Sequence, residues 1–164
     1  MEYIQIIADI ATAVAVFIAL GSLLDSRKIY QEDKLHEKKK DTLDAYNRLQ
    51  NEVFDKLFLE YNAKDIEEIA KHYRTQNREY TKLSTYLAKI EHFSVGVINE
   101  IYDVETTYEL AHGFFDKKVR DSIKPMLDRK RSFYEYDPFE NTKKLYLKMD
   151  AITEERKNQA IDRM

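Results

Sequence analysis

The chain contains no cysteine and no tryptophan, and only 3 glycines and 2 prolines in 164 residues. Without cysteine there is no disulfide framework and no thiolate zinc site. So few turn-forming residues cannot supply the many tight turns a sheet protein needs, so the chain should be all-α. Three glycines, at 21, 96 and 113, are too scattered to build a phosphate-binding loop. No serine stands in a strand-turn-helix elbow, and no cysteine is present to act as a nucleophile. The net charge of −3 gives no long-range attraction for nucleic acid. What the chain does have is charge of both signs, 35% of its residues, together with 12 Tyr and 8 Phe. That composition suits charged helical surfaces around an aromatic-rich core.

The first segment is the least like the rest. From Tyr3 to Leu24 there are 22 residues with one charge, Asp9. Wound as a helix they reach about 33 Å, enough for a hydrocarbon core of about 30 Å. No Lys or Arg precedes the run, which argues against a cleaved signal peptide. Arg27, Lys28, Lys34 and Lys38 to Lys40 follow closely. The reading is a single transmembrane helix over 1–24 in the cell membrane, with the N-terminus outside and the body in the cytoplasm. At about 100° per residue, Tyr3, Ile6, Ile7, Ile10, Val14, Phe17 and Ile18 share one side. Gln5, Ala8, Asp9, Thr12, Ala15 and Ala19 share the other. A helix with one lipid-facing side and one small, polar side calls for a protein partner, the simplest being further copies of itself. Two readings of Asp9 follow: a carboxyl near the headgroups, or part of a wet axis with Gln5 and Thr12 where copies meet.

A charged stalk and long helix is expected over 25–62, beginning "DSRKIYQEDKLHEKKK". Its basic run is interleaved with acids, which marks a solvated helix face. A stripe of Leu43, Tyr46, Leu49, Val53, Leu57 and Tyr61 continues that helix. A cytoplasmic helical bundle over 63–164 comes next. Asp65 is the expected cap of "DIEEIAKHY", and "RTQNRE" interrupts the pattern. Leu83, Tyr86, Leu87, Ile90, Phe93, Val97 and Ile101 form a second stripe, with Gly96 as a place for close approach. Asp103 is the expected cap of the next helix. Breaks are expected at Gly113 and Pro125. In "DPFE" Asp137 reads as a cap, Pro138 as the first helical position and Glu140 as the closing partner.

Glu109 and His112 have the spacing used in di-iron bundles, but such a centre needs a second pair and two further glutamates. No metal, cofactor or catalytic residue is nominated, and the chain is not read as an enzyme. Arg129, Lys130 and Arg131 adjoin Phe133, Tyr134, Tyr136 and Phe139. Cations beside aromatics suit a protein-binding hot spot or stacking on single-stranded nucleic acid. The same rings are equally suited to folding back onto the core.

The apolar start, the charged stalk and "YLAKIEHFSVGVINEIYDVETTYELAHGFF" together resemble bacterial and prophage-carried single-span helical proteins. The resemblance covers residues 3–24 and 80–130. Proteins of this build are also similar to membrane effectors of phage defence (abortive infection). That likeness implies a homo-oligomer in contact with membrane lipid, triggered by a protein assembly on the cytoplasmic side, that permeabilises the membrane as a pore. The alternative is a membrane-tethered scaffold or regulatory binding module without pore activity.

Overall fold

The computed structural model describes residues 2–71, 78–114, 117–128 and 137–162. The side chains of 2–15, 58, 63, 67, 70, 71 and 117–119 lie outside that description. Every regular element among the described residues is helical: α1 (Glu2–Leu49), a π-helical turn (Gln50–Phe54), α2 (Asp55–Glu60), α3 (Ala63–Lys71), α4 (Arg78–Ile98), α5 (Val104–Ala111), α6 (Lys117–Leu127) and α7 (Glu140–Ile161). The all-α expectation holds. The chain divides into two units, Met1–Glu37 and Lys38–Met164, a boundary inside the expected stalk.

The expected transmembrane helix is corrected. Among the described residues no helix is long and apolar enough to cross a membrane. After Leu24 the helix turns charged, with Asp25, Arg27 and Lys28. Within this unit every described side chain from Val16 to Glu37 is exposed, Phe17 to 75%.

The second unit holds one core. Leu49, Val53, Leu57, Leu83, Leu87, Ile90, Val97, Ile123, Leu145 and Met149 are all buried in it. α3 packs mainly on α6, and α4 on α7. The first stripe begins one residue earlier than its pattern suggests: Thr42 is fully buried, whereas Leu43 is exposed. Thr42 Oγ1 donates to the Lys38 carbonyl at 2.7 Å and accepts the Asp103 N–H at 2.7 Å, which ties α1 to the start of α5. From Leu49 onward the stripe steps by four residues. In an α-helix each such step overshoots a full turn by about 40°, so the stripe would wind off the core. The wider π turn undershoots by about 33° per four residues and cancels that drift. Leu49, Val53 and Leu57 therefore all stay buried.

Helix ends follow local chemistry. Asn62, not Asp65, is the cap of α3: its Oδ1 accepts the N–H groups of Lys64 and Asp65 at 2.9 and 3.1 Å. Asp65 closes the reciprocal bond by accepting the Asn62 N–H at 3.0 Å. Asp103 caps α5 as expected, its Oδ1 accepting the Thr106 N–H at 2.8 Å and hydroxyl at 2.7 Å. Burial raises this carboxyl's pKa, but the two Thr106 bonds together with the Lys39 and Lys38 charges hold the group below its ordinary value. Helix α4 ends at Ile98, so Ile101 leaves the stripe and is exposed. The ending is a Schellman motif. Glu100 N–H donates to the Val97 carbonyl and Ile101 N–H to the Gly96 carbonyl, with Glu100 at φ 59°. A left-handed Glu is strained where Gly would not be. Glu100→Gly is expected to stabilise the chain by about 0.5–1 kcal/mol, read as a higher urea midpoint at unchanged slope. An unchanged or lower midpoint would contradict that reading.

The chain turns after Ala111, close to Gly113. Pro125 does not break α6 but lies within its last turn, two residues before it ends. Gly96 admits the ring of Tyr102 rather than a neighbouring helix.

Candidate functional site

The π turn is flanked by two grooves, both within the second unit. One, of about 420 Å³, lies between the end of α1 with the π turn and the face of α4. Ala45, Leu49, Ala88, Phe93 and Tyr102 give it an apolar floor. Phe93 and Tyr102 stack with ring centroids 5.4 Å apart. Arg48 and Glu52 edge one wall, and Thr85, Lys89 and His92 the other. Lys89 Nζ bridges the groove to Glu52 Oε2 at 2.6 Å, and this bond, with the ammonium charge behind it, holds the Glu52 carboxyl below the usual carboxylate range. The second groove, of about 570 Å³, is lined by Tyr46, Phe54, Asp55, Leu59 and Phe114 among others. Phe54 and Phe114 stack there at 3.6 Å. Burial, and then the nearby Asp55 carboxylate, raise the Tyr46 phenol's pKa. Leu59 is 86% exposed beside this groove. Turns of π-helix occur often at functional sites, because the extra residue redirects side chains.

The candidates nominated from sequence fall elsewhere. Gln5, Ala8, Asp9, Thr12 and Ala15 lie on α1, but their side chains are outside the described residues. Ala19 is exposed. Arg129, Arg131, Phe133, Tyr134 and Tyr136 also lie outside the described residues. Phe139 is buried in the core, the folded-back alternative for that ring.

Glu109 and His112 serve structure. Arg156 reaches from α7 to α5, donating to Glu109 Oε1 at 2.5 Å and Glu105 Oε2 at 2.8 Å. Its guanidinium lies 4.4 Å from the Tyr108 ring centre. His112 Nδ1 is 3.2 Å from the Tyr108 carbonyl. Among the described residues no group of three or more His, Asp or Glu side chains could hold a metal.

The expected "DPFE" start is corrected. Asp137 Oδ1 accepts the Phe139 N–H at 3.0 Å, Pro138 and Phe139 form a turn, and α7 begins at Glu140. The cap comes instead from Glu91 on α4. Its Oε1 accepts the N–H and Nδ2 of Asn141 at 3.0 and 2.8 Å, and its Oε2 accepts the N–H and hydroxyl of Thr142 at 2.8 and 2.7 Å. A carboxylate at a helix N-terminus also meets the favourable end of the helix dipole.

A family model described as Domain of unknown function (DUF4760) matches residues 6–149. No curated protein and no solved structure matches the chain.

Proposed function

We propose that this chain, which belongs to the DUF4760 family, is a non-enzymatic helical scaffold. Copies cluster through the apolar part of α1, and the unit from Lys38 onward presents a docking groove to a protein partner. The observation that carries the reading is the run Val16, Phe17, Ile18, Leu20, Leu23 and Leu24, every one of them more than half exposed. Contiguous exposed apolar surface marks an interaction site, and each large apolar side chain buried by association contributes about 1.5–3 kcal/mol. The proposal keeps the clustering step of the likeness to phage-defence effectors and leaves out conduction past Asp9. In that setting the clustered form is the active one, and the trigger is a protein that engages the second unit.

Light scattering of the purified full chain tests the clustering. The wild type is expected at a multiple of 19.6 kDa, and Phe17→Ser/Leu20→Ser/Leu24→Ser close to the monomer with unchanged helical circular dichroism. These positions are exposed, so the substitutions should not disturb the core. A monomeric wild type, or a variant of the same mass as wild type, refutes it. A chain that is monomeric but sediments with phosphatidylcholine vesicles would assign the segment to a lipid surface instead.

A further inference from the structure

Gly113 has no reason within the fold to be glycine. Its φ is not positive, so its backbone suits any residue. A Cβ built on it would meet nothing within 4 Å among the described residues. Glycine loses the most conformational freedom on folding, and one of its uses is to let backbone come close to a ligand. Gly113 lines the second groove, beside the Phe54–Phe114 stack. The missing side chain is therefore room in that groove.

The polar groups around that room are of one kind. In an α-helix residues five apart stand about 140° apart around the axis. The π turn bonds i to i+5 and brings such a pair to one face. Asp55 N–H donates to the Gln50 carbonyl, and Gln50 Nε2 donates to Asp55 Oδ1 at 3.0 Å. Both belong to the same wall, so this bond does not cross the groove. Gln50 Oε1, Asp55 Oδ2 and the Tyr46 hydroxyl then have no hydrogen-bond partner among the described residues. Among the described residues lining the groove, Asp55 is the only charged one. Its helical neighbours three and four positions away are Asn51, Glu52, Phe58 and Leu59, none of them a cation. Lys56 adjoins it in sequence, but adjacent helical residues do not face each other, and the Lys56 charge acts on Glu52 and Glu60, four positions to either side.

Fixed acceptors, one net negative charge and an aromatic ring suit a guanidinium, whose planar fork carries several donors. Leu59, 86% exposed at the same groove, calls for an apolar neighbour that a free small cation would not bring. We infer that this groove holds an arginine side chain of a protein partner, its guanidinium on Asp55 and Gln50 beside the Tyr46 ring, with an adjacent apolar residue of the partner covering Leu59. The inference rests on reading the second unit as a binding module, and it is independent of clustering through α1.

Selection of a displayed library of random peptides on the full chain tests it. Enriched peptides are expected to carry an arginine next to a large apolar residue. The synthesised winners should bind Asp55→Asn and Gly113→Leu about tenfold more weakly than wild type, and should weaken as salt is raised. Replacing the peptide arginine by citrulline, which keeps the shape without the charge, should cost as much. Asparagine keeps the acceptor for Gln50, and leucine enters open space, so both variants should retain wild-type circular dichroism and melting temperature. Winners without arginine, or equal affinity for either variant and wild type, overturn the groove assignment and leave the binding-module reading standing. Winners no tighter than N-acetylarginine amide give the groove to a small cation and overturn the docking of a protein there. Failure to enrich any peptide overturns both readings.

Discussion

Glu91→Ala is expected to lower the stability of the chain by about 3 kcal/mol, a fall in melting temperature of about 6–12 °C. The carboxylate accepts four hydrogen bonds at the start of α7. Loss of a cap costs about 0.5–2 kcal/mol. Here the loss also takes the 2.7 Å acceptor from the fully buried Thr142 hydroxyl, leaving it only the Ser94 hydroxyl at 3.3 Å. Glu91→Gln separates charge from shape. It keeps one acceptor oxygen and aims an amide at donors, so its cost should fall between wild type and the alanine variant. Urea unfolding of the three proteins reads the effect as a shift in midpoint at constant slope. A loss below about 1 kcal/mol for Glu91→Ala would mean that water or the helix itself satisfies these donors, and the account of how α7 starts would fail.

The second large effect is steric. A Cβ placed on Gly96 would overlap the ring of Tyr102, which is stacked on Phe93 and whose N–H is bonded to the Gly96 carbonyl. The ring cannot swing aside without giving up its stack on Phe93. Gly96→Val is expected to cost about 2–3 kcal/mol. Gly96→Ala should cost less, because alanine regains about 1 kcal/mol of helix propensity. The decisive comparison is a double-mutant cycle. Adding Gly96→Ala to Tyr102→Ala should cost nothing further, since the overlapping ring has gone. If the two losses simply add, Gly96 is needed for some reason other than the ring.

Periodicity reveals elements whose neighbours are one turn away. Leu83, Tyr86, Leu87, Ile90, Phe93 and Val97 are buried as their spacing requires. The Asp103 cap is equally legible, because its partner Thr106 is three residues away. Asn62 and Asp65 show how a local rule misleads: both types cap helices, and "N-A-K-D" allows either to be the first residue of the box. Helix α7 was beyond any local rule, because its cap comes from Glu91, some fifty residues earlier. The π turn leaves almost no trace either. "QNEVF" is ordinary helical sequence, and only the steps of four from Leu49 through Val53 to Leu57 hint at a changed pitch. The first groove depends on Ala45 and Ala88 meeting across two helices, which no single stretch encodes. At the N-terminus the composition of residues 3–24 suggested a span, but length and apolarity have to coincide in one helix, and among the described residues they do not.

Among the described residues of the second unit, four polar ones lie fully buried: Thr42, Ser94, Thr107 and Thr142. All are hydroxyls. Ser94 donates to the Ile90 carbonyl at 2.8 Å and sits 3.3 Å from the Thr142 hydroxyl across the α4–α7 contact. Leucine and methionine surfaces pack tolerably in several alignments, so an all-apolar seam would let one helix slide along the other. A slide by one turn, about 5.4 Å, would face the Ser94 and Thr142 oxygens and the Glu91 carboxylate with hydrocarbon instead of each other. Each unmatched group would then carry its full desolvation cost. The buried hydroxyls thus act less as glue than as a key: they leave the correct axial register of α7 nearly unchanged in energy and penalise the wrong ones.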